Sequence, residues 1–296
     1  MGLTESTRLA IAAAGLSPDQ VASVIDLALT EDLRDGPDVT TLSTVPSDQL
    51  SRADITPRQA GVLAGGPVAL AVFDMVLGSA GSCRLLVEDG GDLVPGEPAI
   101  GLTGPTAGIL TAERTALNLL THLSGIATLT RAWVDAVAGT GARIRDTRKT
   151  LPGLRALEKY AVRCGGGVNH RMSLGDAALI KDNHVAAAGS VSAAIAAVRA
   201  RDSRIPMEVE VDTLDQFDEA VLAGAELVLL DNFSTEDTIE AVRRAGSADR
   251  TVLLEASGGL TLDRAHEIAA TGVDYLAVGA LTHSAPALDL GLDLSQ

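Results

Sequence analysis

From about residue 140 onward the chain alternates short apolar runs with helix-length segments, and this alternation limits its fold more than any other feature. The runs are "ARIRDT", "AALIKD", "MEVEVD", "ELVLLD", "TVLLEA" and "DYLAVGA". Between the later ones lie "TLDQFDEAVLAG", "STEDTIEAVRRAG" and "TLDRAHEIAATG". Each of these ends in a glycine suited to a left-handed cap, and two open with capping-box spacing. Strand, helix and parallel strand make one βα unit, and six such units predict an α/β fold, an incomplete (β/α) barrel. A doubly wound parallel sheet is the alternative, because a sequence does not by itself close a barrel.

The first part of the chain has a different texture. Residues 1 to 112 mix a helical opening with short strand-like pieces and turn signals such as "EDGGDLVPGEPAIGLTGPTAG", which predicts a small α/β domain. "LAIAAAGL" imitates a signal-peptide core but lacks a basic leader and runs into "SPDQVASVIDLALTEDL", an acidic amphipathic helix pattern, so it is read as mature structure. "GDLVPGE" is similar to the hairpins of lipoyl and biotinyl carrier domains, yet no lysine sits at its tip to carry a cofactor. It is read as the structural hairpin of a hammerhead-like sandwich. The expected division is therefore 1–112, a barrel over 113–285, and a tail, 286–296, returning to the N-terminal domain.

Composition excludes some partners. With a net charge of −16 and only 2% aromatic residues, the chain offers neither the phosphate attraction nor the stacking surface of a nucleic-acid binder. No apolar run approaches the roughly 20 residues that span a bilayer. Cys83 and Cys164 form no metal-type spacing, and a chain of 296 residues buries enough core to need no staple, which predicts reduced thiols in a cytoplasm.

A (β/α) barrel assembles its site at the C-terminal ends of its strands. Nearly every run here ends in a chargeable residue: the first leads to Arg145, Arg148 and Lys149, and the next to Lys181, Glu210, Asp231, and Glu255 with Ser257. Cations are also concentrated there. From Arg143 to Lys181 there are nine Lys or Arg against three Asp or Glu, which leaves the rest of the chain at −22. Arg155, Lys159 and Arg163, spaced four apart, read as a solvated helix face. Arg148, Lys149, His170, Arg171 and Lys181 instead occupy loops or a strand end beside "CGGGVN", where glycines let backbone approach a ligand, and they predict an anion site. Two glycine turns follow the last strands, Ser257–Gly258–Gly259 in "ASGGLT" and Gly279–Ala280 in "VGALTHS", and suit a phosphate. Glu210 and Asp231 would weaken mere anion capture, so they argue for chemistry: ribose hydroxyls, Mg²⁺, or positive charge developing on a sugar carbon. A sugar phosphate passing its sugar to another anion would use every group named.

The stretch "RDTRKTLPGLRALEKYAVRCGGGVNHRMSLGDAALIKDNH" strongly resembles the quinolinate phosphoribosyltransferases, the carboxylating nicotinate-nucleotide pyrophosphorylases. So do "LTEDLRDGPDVTT", "LTAERTALNLLTHLSGIAT", "LLDNFS", "EASGGL" and "GVDYLAVGALTHS". The resemblance implies phosphoribosyl transfer from phosphoribosyl pyrophosphate to quinolinate with decarboxylation, aided by Mg²⁺, in de novo NAD biosynthesis. It implies that Thr147, Arg148, Lys149, His170, Arg171 and Lys181 line the site for the quinolinate carboxylates and pyrophosphate. Lys149, Lys181, Glu210 and Asp231 are the implied catalytic set. Glu210 and Asp231 also serve ribose and Mg²⁺, and Ser257, Gly258, Gly259, Val278, Gly279 and Ala280 the 5′-phosphate.

An N-terminal α/β domain, an open (β/α) barrel and a head-to-tail homodimer, sometimes assembled further, are implied as well. Arg114, Asn118 and His122 recur every four residues on one helix face. That stripe is ordinarily solvated, but the resemblance implies that Arg114 reaches across the dimer interface to quinolinate. The alternatives are a paralogue of the same family associated with molybdenum transport, a Schiff-base lyase using Lys181, and a non-catalytic anion receptor.

Overall fold

The computed structural model describes residues 2–295 and divides into two compact units. Unit 1 takes the residues up to Arg131, Thr150–Gly166 and those from Thr282 on; unit 2 takes Ala132–Lys149 and Gly167–Leu281.

Unit 1 opens on helices α1 (Glu5–Ala13), α2 (Pro18–Leu33) and α3 (Val39–Thr44). Each starts where a short polar residue, Thr4, Ser17 or Asp38, sits extended and accepts a first-turn N–H that the helix leaves without a partner. "LAIAAAGL" thus lies in α1 and the turn after it. The sheet of this unit is antiparallel: β1 (Leu50–Pro57) lies between β5 (Ile100–Pro105) and β12 (Leu290–Ser295), and β3 (Ser82–Leu85) pairs with the far edge of β5. Helix α4 (Gly66–Leu77) is apolar almost throughout and buries Val68, Val72 and Phe73. β2 (Gly61–Val62) pairs with β4 (Asp92–Leu93). "GDLVPGE" does turn, with the Glu97 N–H donating to the Val94 carbonyl at 3.1 Å. Its two arms part, however: β4 goes to β2, while the chain after the turn continues into β5 beside β1.

Helix α5 (Thr106–Ala136) runs for 31 residues. A Cβ on its Gly125 would stand 2.1 Å from the Pro286 carbonyl oxygen, so only glycine lets the returning C-terminal segment pass this close. Helix α6 (Arg155–Cys164) corrects one expectation. Arg163 is exposed and Arg155 half-buried, but Lys159 is fully buried rather than solvated, and so is its neighbour Glu158. Glu158 accepts the Leu151 N–H at 3.1 Å and lies 2.9 Å from His122 Nε2. Charges are tolerated in an interior when they are bonded in this way.

Unit 2 contains all six predicted strands: β6 (Arg143–Arg145), β7 (Ala178–Ile180), β8 (Met207–Val211), β9 (Leu227–Asp231), β10 (Leu253–Ser257) and β11 (Tyr275–Ala277). Every pairing is parallel, in the order β6-β11-β10-β9-β8-β7. From β7 to β11 each strand adds on the same side, and β6 then joins β11; a doubly wound sheet would reverse direction once. The sheet stays open because the free edge of β6 is met by Val168, whose N–H donates to Ile144 O at 2.9 Å. Helices α7 (Asp182–Ala188), α8 (Val191–Arg201), α9 (Leu214–Leu222), α10 (Thr235–Ala245) and α11 (Ala265–Ala269) fall between the strands, and α12 (Ala280–His283) follows β11. Thr213 and Ser234 cap α9 and α10 as their spacing predicts. Gly224 and Gly272 are left-handed, whereas Gly246 stays right-handed at φ −67°. No helix among the described residues is long and apolar enough to cross a membrane.

Candidate active site

Alternation along parallel strands decides which side chains share a face. On β8 it groups Glu208 and Glu210, with Asp212 just past the strand end; on β9, Leu229 and Asp231; on β10, Glu255 and Ser257. The ladder aligns these sets, with Glu210 and Glu255 each opposite Leu229 and Ser257 opposite Asp231. At the C-terminal ends the strands open into a cavity of about 340 Å³. Its cationic wall holds Arg148, Lys149, Arg171 and Lys181, with Thr147 and His170. Glu210, Asp231, Glu255 and Ser257 face them, and Leu179, Leu229 and Ala277 supply the apolar floor.

The two arginines are held in an unusual state. Arg148 Nε and Arg171 Nε are buried donors with no hydrogen-bond partner among the described residues. Arg171 spends one Nη1 donor on Ala177 O at 2.8 Å. Burial and then the charge of Arg148 push the Arg171 guanidinium below its ordinary pKa. Orphaned donors inside a cation pair are costly unless an acceptor meets them, and a carboxylate matches the fork of a guanidinium. Lys181 contacts Glu210, and its backbone N–H donates to His184 Nδ1 at 2.9 Å. Burial, followed by the charge of Asp212, raises the Asp231 carboxyl, while Lys181 and Lys149 pull it back.

Deeper in the barrel lies a layer of buried charge. Arg145 Nη1 reaches Glu255 Oε2 at 2.6 Å, and its guanidinium stacks 4.8 Å over the Tyr275 ring. His170 Nδ1 accepts the Arg171 N–H at 2.7 Å, so its proton is on Nε2, which faces Glu208 Oε2 at 2.6 Å. Glu208 and Glu255 each keep one buried oxygen without a hydrogen-bond partner, and burial followed by the Glu208 charge pushes Glu255 up to about 8. Asp146, fully buried, accepts from Asn169 Nδ2 at 2.5 Å and from the His170 N–H at 2.8 Å. This bond ties the "VNH" segment to the end of β6.

Glu208 and Asp146 escaped the sequence analysis. For Glu208 the signal was present, since "EVEVD" places three acids at every second position, two on the strand and one just past its end. His170, Glu208 and Glu255 present ligand atoms within 4.8 Å of one another, but the imidazole and Arg145 already engage them. Glu210 and Asp231, contacted by Lys181 and Asn232, also bring hard oxygens to the cavity wall and could hold a cation.

The predicted residues are not all gathered in this cavity. Gly258 and Gly259 follow the lining Ser257 in left-handed conformations, at φ +89° and +59°, without lining the cavity themselves. Val278 donates its N–H to Arg145 O at 2.8 Å, and Gly279 leads into α12 at Ala280; none of the three lines the cavity. Arg114 is exposed on α5 in unit 1, as is Asn118, and is likewise absent from the lining.

Family comparison places the chain among known proteins. The family "Quinolinate phosphoribosyl transferase" matches twice, its N-terminal domain over residues 38–124 and its C-terminal domain over 126–293. The carboxylating nicotinate-nucleotide pyrophosphorylase of Mycobacterium leprae is 58% identical over 277 residues, covering 93% of this chain and 98% of that protein. The human protein of the same name is 38% identical over 284 residues, covering 94% of this chain and 93% of its own. Among solved structures, the nicotinate-nucleotide pyrophosphorylase from Francisella tularensis superimposes with a TM-score of 0.87 at 38% identity, covering 94% of this chain and 96% of the other.

Proposed function

This chain belongs to the quinolinate phosphoribosyl transferase family, and on that premise we propose that the strand-end cavity is where its reaction takes place. The chain is a pentosyltransferase, a carboxylating nicotinate-nucleotide pyrophosphorylase of de novo NAD biosynthesis. It transfers phosphoribosyl from phosphoribosyl pyrophosphate to quinolinate, giving nicotinate mononucleotide, pyrophosphate and CO₂. The observation that carries our assignment of the site is the pair of half-buried arginines, Arg148 and Arg171, whose buried Nε donors lack a protein acceptor. Quinolinate brings two adjacent carboxylates, a dianion that two guanidinium forks can meet.

Within this reading the residues divide the work. The ring nitrogen of quinolinate attacks C1′ of the ribose as the bond to pyrophosphate breaks, its electron pair leaving with the phosphate oxygen. Positive charge grows on the sugar carbon meanwhile, and the carboxylates of Glu210 and Asp231 stabilise it and accept the ribose hydroxyls. Lys149 and Lys181 stabilise the departing pyrophosphate. The bond from C2 to its carboxylate then breaks, CO₂ leaves, and the electron pair stays on C2 beside the cationic nitrogen until a proton replaces it. Arg148 and Arg171 pair with the two carboxylates of the bound quinolinate until the one on C2 leaves, with His170 fixing the Arg171 backbone. The turns Ser257–Gly259 and Val278–Ala280 receive the 5′-phosphate through backbone N–H groups other than that of Val278, which donates to Arg145 O.

The donor set suits Mg²⁺: two carboxylates with hard oxygens, one of them, Asp231, crowded by Asp212 in a way a bound cation relieves. When bound, the ion neutralises the pyrophosphate of the donor. We further propose a cytoplasmic homodimer in which the exposed Arg114 completes the partner's site. The test of the reaction is stoichiometric. Purified protein given quinolinate, phosphoribosyl pyrophosphate and Mg²⁺ should release CO₂ and pyrophosphate in equal amounts with nicotinate mononucleotide. Pyrophosphate without CO₂ would refute the decarboxylating transfer.

A further inference from the structure

Asn232 is the single non-glycine residue with positive φ among the described residues, at +55°, and it directly follows Asp231. A side chain other than that of asparagine or aspartate rarely tolerates this region, because Cβ crowds the carbonyl that follows. Three contacts come with the conformation. The Asn232 backbone N–H donates to Ser257 O at 2.9 Å, clasping β9 to β10 just beyond their last ladder pair. Its Nδ2 donates to Asp231 Oδ2 at 2.9 Å. Its Oδ1 occupies the space beside Gly258, where an added Cβ would lie 2.2 Å from Oδ1 and 2.9 Å from the Asn232 nitrogen. Gly258 is therefore glycine on two counts, its φ of +89° and the Asn232 amide that fills its side-chain position. Asn232 itself is exposed, so no demand of core packing accounts for its backbone. What the bend achieves is delivery of one amide to both a carboxylate and a glycine turn.

We propose that Asn232 is a positioning residue for the sugar-phosphate half of the donor. Its Nδ2 fixes the rotation of the Asp231 carboxylate, and its Oδ1 sets the spacing of the Ser257–Gly259 turn, so that ribose hydroxyls and 5′-phosphate are held as one rigid pattern. The proposal rests on the reading of this cavity as a phosphoribosyl-transfer site. It also separates the two substrates: quinolinate meets Arg148 and Arg171, neither of which Asn232 touches, so loss of the amide falls on the donor alone.

The test uses Asn232→Gly and Asn232→Asp in the full chain. Glycine suits φ +55° and removes only the amide, so Asn232→Gly should keep Tm within about 2 °C of wild type. It should raise KM for phosphoribosyl pyrophosphate about tenfold or more and leave KM for quinolinate within about twofold. Asn232→Asp tolerates the backbone but sets a second carboxylate against Asp231, and it should impair donor use more than glycine does. An Asn232→Gly enzyme with wild-type KM for the donor overturns the proposal. A parallel rise in both KM values with a falling Tm overturns it too, since that is the signature of a merely structural residue. Calorimetry with ribose 5-phosphate gives a readout independent of turnover. Its affinity should fall about tenfold in Asn232→Gly, and an unchanged affinity refutes the positioning role. Failure of the wild-type chain to use quinolinate bears instead on the transfer reading, and the calorimetric comparison still decides the role of Asn232.

Discussion

Replacing Glu255 with glutamine should remove a pH dependence from the stability of this protein. Glu255 is fully buried, with Arg145 at 2.6 Å on one side and His170 Nε2 3.9 Å from its other oxygen. Burial, then the charge of Glu208, push its carboxyl from 4.5 up to about 8, against the opposing pull of Arg145. Between those values the native state holds a proton that the unfolded chain has released, so the native state binds more protons and stability falls as pH rises. The stability contributed by the proton is complete below about 4.5, is lost progressively toward about 8, and changes no further above that. A difference of one proton is worth about 1.4 kcal/mol per pH unit, so from about pH 5.5 to about pH 7.5 the wild type should lose about 3 kcal/mol through this pair. Glutamine does not ionise; its amide N–H can donate to Glu208 while its carbonyl accepts from Arg145. Urea unfolding of both proteins across that range measures the slopes. The stability of Glu255→Gln relative to wild type should rise by about 3 kcal/mol between the two ends. Parallel curves would refute the account of a proton held on Glu255 in the native state.

Other perturbations address the site directly. Arg148→Ala and Arg171→Ala should each lose on the order of 10² in turnover, since an oriented charge in a water-poor site is worth about 3 kcal/mol, with little change in Tm; near-normal rates would remove the carboxylate clamp. Asp231→Asn should weaken use of phosphoribosyl pyrophosphate and raise the Mg²⁺ requirement while sparing quinolinate affinity. Calorimetry finding the opposite order would reassign Asp231. Inactive Arg114→Ala and Lys181→Ala chains, mixed after dissociation and reassociated, should recover roughly a quarter of wild-type activity, because half the dimers are mixed and each of those regains one site. Background activity despite proven subunit exchange would show that Arg114 does not act across an interface.

The barrel was legible because its signal is local: an apolar run, a capped helix and another run can be recognised without knowing what pairs with what. That it is open is what the resemblance implied; the contact at its open edge was not legible, since Val168 meets β6 from a loop with no strand pattern of its own. The cationic wall was visible as a cluster in sequence, and the cavity brings together Arg148, Lys149, Arg171 and Lys181 as expected. Lys159 was misread for a related reason. Its spacing with Arg155 and Arg163 is that of a solvated face, but burial is decided by which elements pack on a helix, and helical periodicity carries no such information. Glu208 shows the converse, a strand acid whose role emerges only once His170, far along another segment, is seen 2.6 Å away. Asn232 lay unnoticed within a quoted motif because its importance is in a backbone angle.

The most direct test of the account is a competition between acceptors. Its central claim is that Arg148 and Arg171 read two carboxylates, so an acceptor with one should leave a half-buried guanidinium, with its buried Nε donor, unpaired, at a cost of several kcal/mol. Supplied together with phosphoribosyl pyrophosphate and Mg²⁺, quinolinate should be consumed while nicotinate and nicotinamide remain, with kcat/KM for quinolinate higher by at least about 10³. Turnover of nicotinate at a rate comparable to quinolinate would contradict the claim.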